Sequence, residues 1–135
     1  MPFKFEELGV WRDALAYLDL VYEIADLLPR SEELNLRSQL VRAATSVALN
    51  IAEGSTELTD SEQSRFLGMS IRSLIETVAC EHIVRRRGYL SDPVLLERAY
   101  EQANQLARRL QRMRRTLDRD QRWVREESVD YPQES

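Results

Sequence analysis

Two short runs of polar residues recur at helical spacing: Ser46, Asn50 and Glu53 in one, Ser73 and Glu76 in the other. Steps of three and four residues place each run on one side of a helix, so all five side chains could meet between two helices. A hydroxyl pair, an amide and two carboxylates in such a seam can form a hydrogen-bonded network that fixes register, because buried polar groups are costly unless satisfied. They can also pair Glu53 with Glu76 as a carboxylate acid and base, which requires one carboxyl raised in pKa and further groups with assignable roles. The neighbouring sequence supplies no such acid, base or nucleophile. The network reading therefore stands ahead of the catalytic one, and we expect no catalytic residue.

Cys80 and His82 are the single cysteine and the single histidine. Two positions apart, they leave different faces of a helix, so neither a zinc pair nor a thiolate–imidazole dyad follows. Di-iron bundles need a Glu three residues before a His, and Ala79 stands there. No Gly-rich phosphate loop occurs. The sequence predicts neither metal nor cofactor.

The stronger candidate is a row of cations. Arg108, Arg112, Arg115, Arg119 and Arg122 repeat at steps of four, three, four and three. The row is offset by two residues from the apolar repeat of the same segment, about 200 degrees around a helix, and so faces away from a core. Arg109, Arg114 and Arg125 widen it, and Arg85, Arg86 and Arg87 form a second cluster before Gly88. Such a face suits phosphate backbones, although a solvated helix would present the same pattern. Trp123 is the one aromatic near the row, which leaves no ladder for stacking bases and argues against sequence-specific readout.

The elements that carry these residues follow from composition and period. The 135 residues, 43% hydrophobic and 31% charged, make one domain. The net charge of −4 is unevenly spread: residues 1–80 carry 13 acidic and 7 basic side chains, residues 81–125 carry 6 and 12, and residues 126–135 carry 4 and none. A localised polyanion or partner surface is the usual meaning of such asymmetry. One cysteine excludes an internal disulfide framework, and no apolar run or leader-like N-terminus marks secretion or a membrane span. A cytoplasmic protein is expected.

Apolar residues at steps of three and four predict four helices, at about 10–28, 36–53, 60–88 and 93–125, with an acidic flexible tail at 126–135. Pro29 closes the first. Gly54 follows the second as a stop, Thr59 and Glu62 have capping-box spacing before the third, and Asp92 with Pro93 opens the fourth. No strand alternation appears, so the fold class is all-α: an antiparallel up-down four-helix bundle over residues 1–125. The first helix has two apolar stripes, one through Val10, Ala14, Tyr17, Val21 and Ile24 and one through Leu8, Trp11, Leu15, Leu18, Tyr22 and Ala25. One core needs a single stripe, so the other is expected to join copies of the chain. Either could serve; the Val10 set is taken as the oligomer interface.

The run from Gln39 through Arg42, Ala43, Ala44, Ser46, Asn50, Ile51 and Glu53 to Gly54 resembles the signature of the 23S rRNA intervening-sequence proteins, a bacterial family of four-helix bundles. Val10-Trp11, Val21-Tyr22, Pro29, Phe66-Leu67, Ser73, Glu76 and Gly88-Tyr89-Leu90 fall in the same order and spacing, so the resemblance spans roughly residues 5–90. Ala48 replaces a frequent proline and Asn35 a usual glycine. The family includes proteins encoded in ribosomal RNA insertions and is similar to the accessory variability determinant of diversity-generating retroelements. The resemblance implies a homopentamer, with reverse transcriptase and nucleic acid, RNA or DNA, as partners.

Two functions follow as expectations. The first is a non-enzymatic oligomeric accessory protein that holds nucleic acid through its Arg-rich face without reading bases. The alternative is a structural adaptor ring that holds a protein partner and no nucleic acid.

Overall fold

The computed structural model describes residues 3–56 and 59–130, with side chains given as far as residue 120. The described residues form four α-helices: α1 (Gly9–Asp26), α2 (Leu36–Gly54), α3 (Asp60–Arg87) and α4 (Val94–Asp130). Short 3-10 turns precede α1 at Lys4–Glu7 and α2 at Arg30–Glu32, and no strand occurs among the described residues.

The ends of α1 and α3 and the starts of α3 and α4 have local chemical reasons. The backbone N–H groups of Leu27 and Leu28 turn back onto the carbonyls of Ile24 and Ala25, and Pro29 then offers no N–H to continue α1. The Thr59 hydroxyl accepts the Glu62 N–H at 3.2 Å, capping α3 as its spacing predicts. Gly88 closes α3 at φ 67°, a left-handed conformation that favours glycine, and Tyr89 N–H reaches back to the Val84 carbonyl at 3.4 Å. At the start of α4 the Asp92 carboxylate accepts from Val94 N–H at 2.9 Å.

α2 does end at Gly54, as expected, but not through a left-handed glycine cap. The residue after it, Ser55, keeps a negative φ of −88°. What Gly54 provides is close approach: a Cβ there would sit 2.7 Å from the Phe66 Cβ on α3. Asn35 likewise needs no glycine-only backbone, with φ −120°. Its side chain donates to Glu32 at 3.0 Å and accepts from Gln39 at 3.1 Å, tying down the entrance to α2. With Ala48 in place of a proline, α2 runs unbroken.

α1 packs on α2 and α4, α2 on α3, and α3 on α4, so the helices form a closed four-membered bundle. Moving forward along α3, contacts step backward along both neighbours: Ser70 meets Val47 and Glu76 meets Arg42 on α2, while Ser64 meets Asp118 and His82 meets Tyr100 on α4. Tyr17, Ile24, Leu40, Ile51, Leu67, Leu74, Leu106 and Leu110 fill the centre.

The first helix required a correction. Val10, Ala14, Tyr17, Val21 and Ile24, expected at an oligomer interface, are at most 2% exposed and belong to the protomer's own core. The reason is geometric: these residues face the bundle axis, and side chains already enclosed by α2, α3 and α4 leave nothing to offer a second copy. The other stripe is split. Ala25 is buried, Leu8, Trp11 and Leu18 pack at the edge of the core, and Leu15 and Tyr22 are exposed.

The end of the chain also differs from expectation. α4 continues to Asp130, through the first half of the segment taken as a flexible tail, and at about 1.5 Å per residue its 37 residues span about 55 Å. Residues 131–135 lie outside the described residues, as do the side chains of Arg122, Trp123 and Arg125.

Candidate nucleic-acid interface

The polar seam between α2 and α3 assembles three of its five expected members. Asn50 donates to the Ser46 carbonyl at 2.9 Å and to the Ser46 hydroxyl at 3.0 Å, and the Ser73 hydroxyl donates to that of Ser46 at 3.0 Å. Ser70, missed in the sequence because a lone serine carries no signal, is fully buried and donates to the Val47 carbonyl at 2.8 Å. Glu76 turns outward to an ion pair with Arg42 at 2.5 Å, and Glu53 is exposed. The two carboxylates are thus not brought together as an acid–base pair. The seam does what a buried polar cluster does well: it fixes how α2 and α3 slide against each other.

A second polar pair lies deeper and was invisible in the sequence. The Tyr17 hydroxyl on α1 donates to Glu81 Oε1 on α3 at 2.8 Å, crossing the bundle on its diagonal. Glu81 is 5% exposed and its Oε2 has no hydrogen-bond partner. Burial pushes its pKa up to about 7 against the opposing effect of the tyrosine hydrogen bond, and burial with the nearby carboxylate drives the Tyr17 hydroxyl above its ordinary range. Cys80 is buried beside them, and its thiol too is pushed up, chiefly by burial, which makes it a weak nucleophile. His82 is exposed, its ring edge-on to Tyr100. Among the described residues no cluster of three His, Cys, Asp or Glu is placed to hold a metal ion.

The arginine row keeps its predicted aspect. Arg108, Arg112, Arg115 and Arg119 are all exposed, and among the described residues none has an ion pair. Two arginines expected to widen the row are instead held by the bundle. Arg109 pairs with Asp13 on α1. Arg114 Nε donates to the Ser64 hydroxyl at 3.3 Å, and its guanidinium lies against Gly68 so closely that a Cβ there would meet it at 2.7 Å. Ser64 in turn donates to Asp118 at 2.6 Å, so the acid nearest the row is engaged with α3.

The second cluster is divided. Arg85 and Arg86 are exposed, whereas Arg87 lies beside the Tyr89 ring, 5.9 Å from its centroid, with Nε 3.5 Å from the hydroxyl. Tyr89 donates onward to Glu32 at 2.7 Å, and that hydrogen bond, with one from Asn35, holds the Glu32 carboxyl below its usual range. Ser64 sits beside Asp118 and His82 beside Tyr100, so Arg85–Arg87 and Arg108–Arg119 lie toward opposite ends of the α3–α4 face. They form two patches.

The described residues form an all-α four-helix bundle whose last helix is long and carries an outward row of arginines. The family model described as 23S rRNA-intervening sequence protein matches residues 6–115, and the chain belongs to that family. No curated protein matches it in sequence. No helix among the described residues is long and apolar enough to cross a membrane.

Proposed function

We propose that this protein is a non-enzymatic accessory protein of the cytoplasm that binds nucleic acid through the outward face of α4, on an antiparallel up-down bundle that assembles as a cyclic homo-oligomer. One observation carries the reading: four consecutive arginines of the row, Arg108, Arg112, Arg115 and Arg119, stand exposed and without an ion pair among the described residues. Guanidinium groups in a row present forked donors suited to phosphate oxygens. Arg122 extends the row by sequence, and Arg85, Arg86 and Arg87 supply a second contact. The exposed aromatics Phe3, Tyr22 and Tyr100 are not on this row, and Trp123, the single aromatic beside it in sequence, makes no ladder for stacking bases. That the ring holds five copies is implied by the family resemblance alone, and the number is part of the proposal.

Filter binding to RNA and DNA at 50 and 200 mM salt tests it. Five engaged arginines give a log-log salt slope of about −4.5 on duplex DNA, a loss of roughly 500-fold between those salts. Absent or salt-insensitive binding would overturn the reading.

A second reading, an adaptor that holds a protein partner, is favoured by exposed apolar side chains that phosphate contacts leave unused. Ile75 is 64% exposed and Tyr100 52%.

A further inference from the structure

A groove of about 500 Å³ opens where the 3-10 turn Lys4–Glu7 packs against the last turn of α2. Phe3 and Phe5 line it from the turn, and Ala52, Glu53 and Thr56 from α2 and its end. Its size falls within the range of about 300–1,000 Å³ usual for ligand pockets.

The aromatic side is fixed in place. The Phe3 backbone N–H donates to the Glu6 carboxylate at 3.2 Å. The Phe3 and Phe5 rings lie 6.2 Å apart, and Phe5 in turn stands edge-on to Trp11 at 4.7 Å. Phe3 is nonetheless 63% exposed, so a positioned ring is left in contact with water.

The opposite side is negative. The Ser55 and Thr56 hydroxyls donate to the carbonyls of Ala52 and Glu53 at 2.8 and 3.0 Å, and this C-terminal turn carries the negative end of the α2 macrodipole. Glu53 adds a full charge. Its side chain is exposed and has no ion pair among the described residues, although Lys4 lines the same groove. The adjoining segments bring Glu6 and Glu7 before α1 and Asp60 and Glu62 at the start of α3. The cations in the opening turns of α1 and α3 are Arg12 and Arg65, the latter lying over the Phe66 ring.

A ring beside an unpaired carboxylate recognises an organic cation, the ring through its quadrupole and the carboxylate through charged hydrogen bonds. Arginine matches both, because its guanidinium is flat, stacks on rings and donates two parallel N–H groups. We propose that this groove docks an arginine-bearing basic segment of a protein partner, its guanidinium stacked on Phe3 and paired with Glu53 while neighbouring apolar side chains cover Phe5 and Ala52. The charge of the groove selects such a partner and repels nucleic acid. The proposal gives the adaptor reading a site and does not depend on the arginine row of α4.

Fluorescence anisotropy tests it on the chain with three labelled peptide amides: Leu-Arg-Leu-Arg-Gly, and counterparts with both arginines replaced by norleucine or by glutamate. The arginine peptide should bind saturably and the other two should not. Glu53→Gln should weaken it about tenfold, the scale of a lost charged hydrogen bond, and Phe3→Ala about threefold, the scale of an exposed cation–π contact. Asp19→Asn, which removes an exposed acid elsewhere on α1, should leave binding unchanged. All three positions are exposed, and circular dichroism on each variant should match the parent. Absent binding of the arginine peptide, equal binding of the norleucine peptide, or undiminished binding to Glu53→Gln would overturn the proposal. So would a fall in particle mass by light scattering on Glu53→Gln, which would assign the groove to a second copy. Failure of the filter assay on RNA and DNA would leave this docking site standing.

Discussion

At the scale of residues, the most consequential side chain is Glu81. Its carboxyl sits in the core with one oxygen accepting from Tyr17 and the other unpartnered, so the charged form is poorly solvated and the neutral form is favoured. The folded pKa of about 7 lies above the ordinary 4.5 of the unfolded chain. Protonation therefore favours the fold: the contribution is complete below about pH 4.5 and is lost as the pH rises through 7. A difference of this size corresponds to roughly 3 kcal/mol. Urea unfolding from pH 5 to pH 8 should show this loss of stability, and Glu81→Gln, which cannot ionise, should lack that component. A parent chain whose Glu81-dependent stability stays flat across the range would refute the assignment. None of this was legible beforehand: Tyr17 and Glu81 are 64 positions apart, and a helical period tells which face a residue shares but not how deep it sits.

At the scale of elements, the Thr59 cap and three of the five seam residues were legible, and partners on other helices were not. Thr59 was legible because a side chain that caps its own helix needs only local sequence. Thr59→Ala should cost about 1 kcal/mol, measured by chemical denaturation, since the Glu62 N–H then turns to water for its partner. Ser46, Asn50 and Ser73 were legible as a group because heptad spacing is a statement about one side of a helix. Glu53 and Glu76 share that spacing and still leave the seam, since long carboxylates can reach solvent where short hydroxyls cannot. The fourth helix divides in the same way. Arg108, Arg112, Arg115 and Arg119 keep the outward aspect their period predicts, whereas Arg109 and Arg114 were claimed by Asp13 and Ser64, partners on other helices that no reading of α4 alone could supply.

At the scale of the whole molecule, the basic face and the core are separable. Changing Arg112, Arg115 and Arg119 together to Glu touches no ion pair among the described residues, so the thermal midpoint should move little. On nucleic acid the same change should remove about 2.7 from the magnitude of the duplex salt slope, at about 0.9 per phosphate contact. Affinity should fall by a similar factor on every sequence tested. A sequence-dependent loss would mean that the arginines reach base edges, contrary to the reading of a backbone-only surface. Persistent co-purification of a protein partner with the triple variant would support the adaptor instead.

The sequence by itself determined the all-α class, the four helices and their caps, and the outward row of arginines on the fourth, because each depends on spacing within one segment. The family resemblance was also present in the residues and is matched over residues 6–115. Only the tertiary structure decided which stripe of α1 is core, because both stripes have the same period and the choice is made by what encloses them. It decided likewise that Tyr17 meets Glu81 and that Asp13 and Ser64 hold Arg109 and Arg114. Those facts concern distances between segments, and period along a chain carries no information about them.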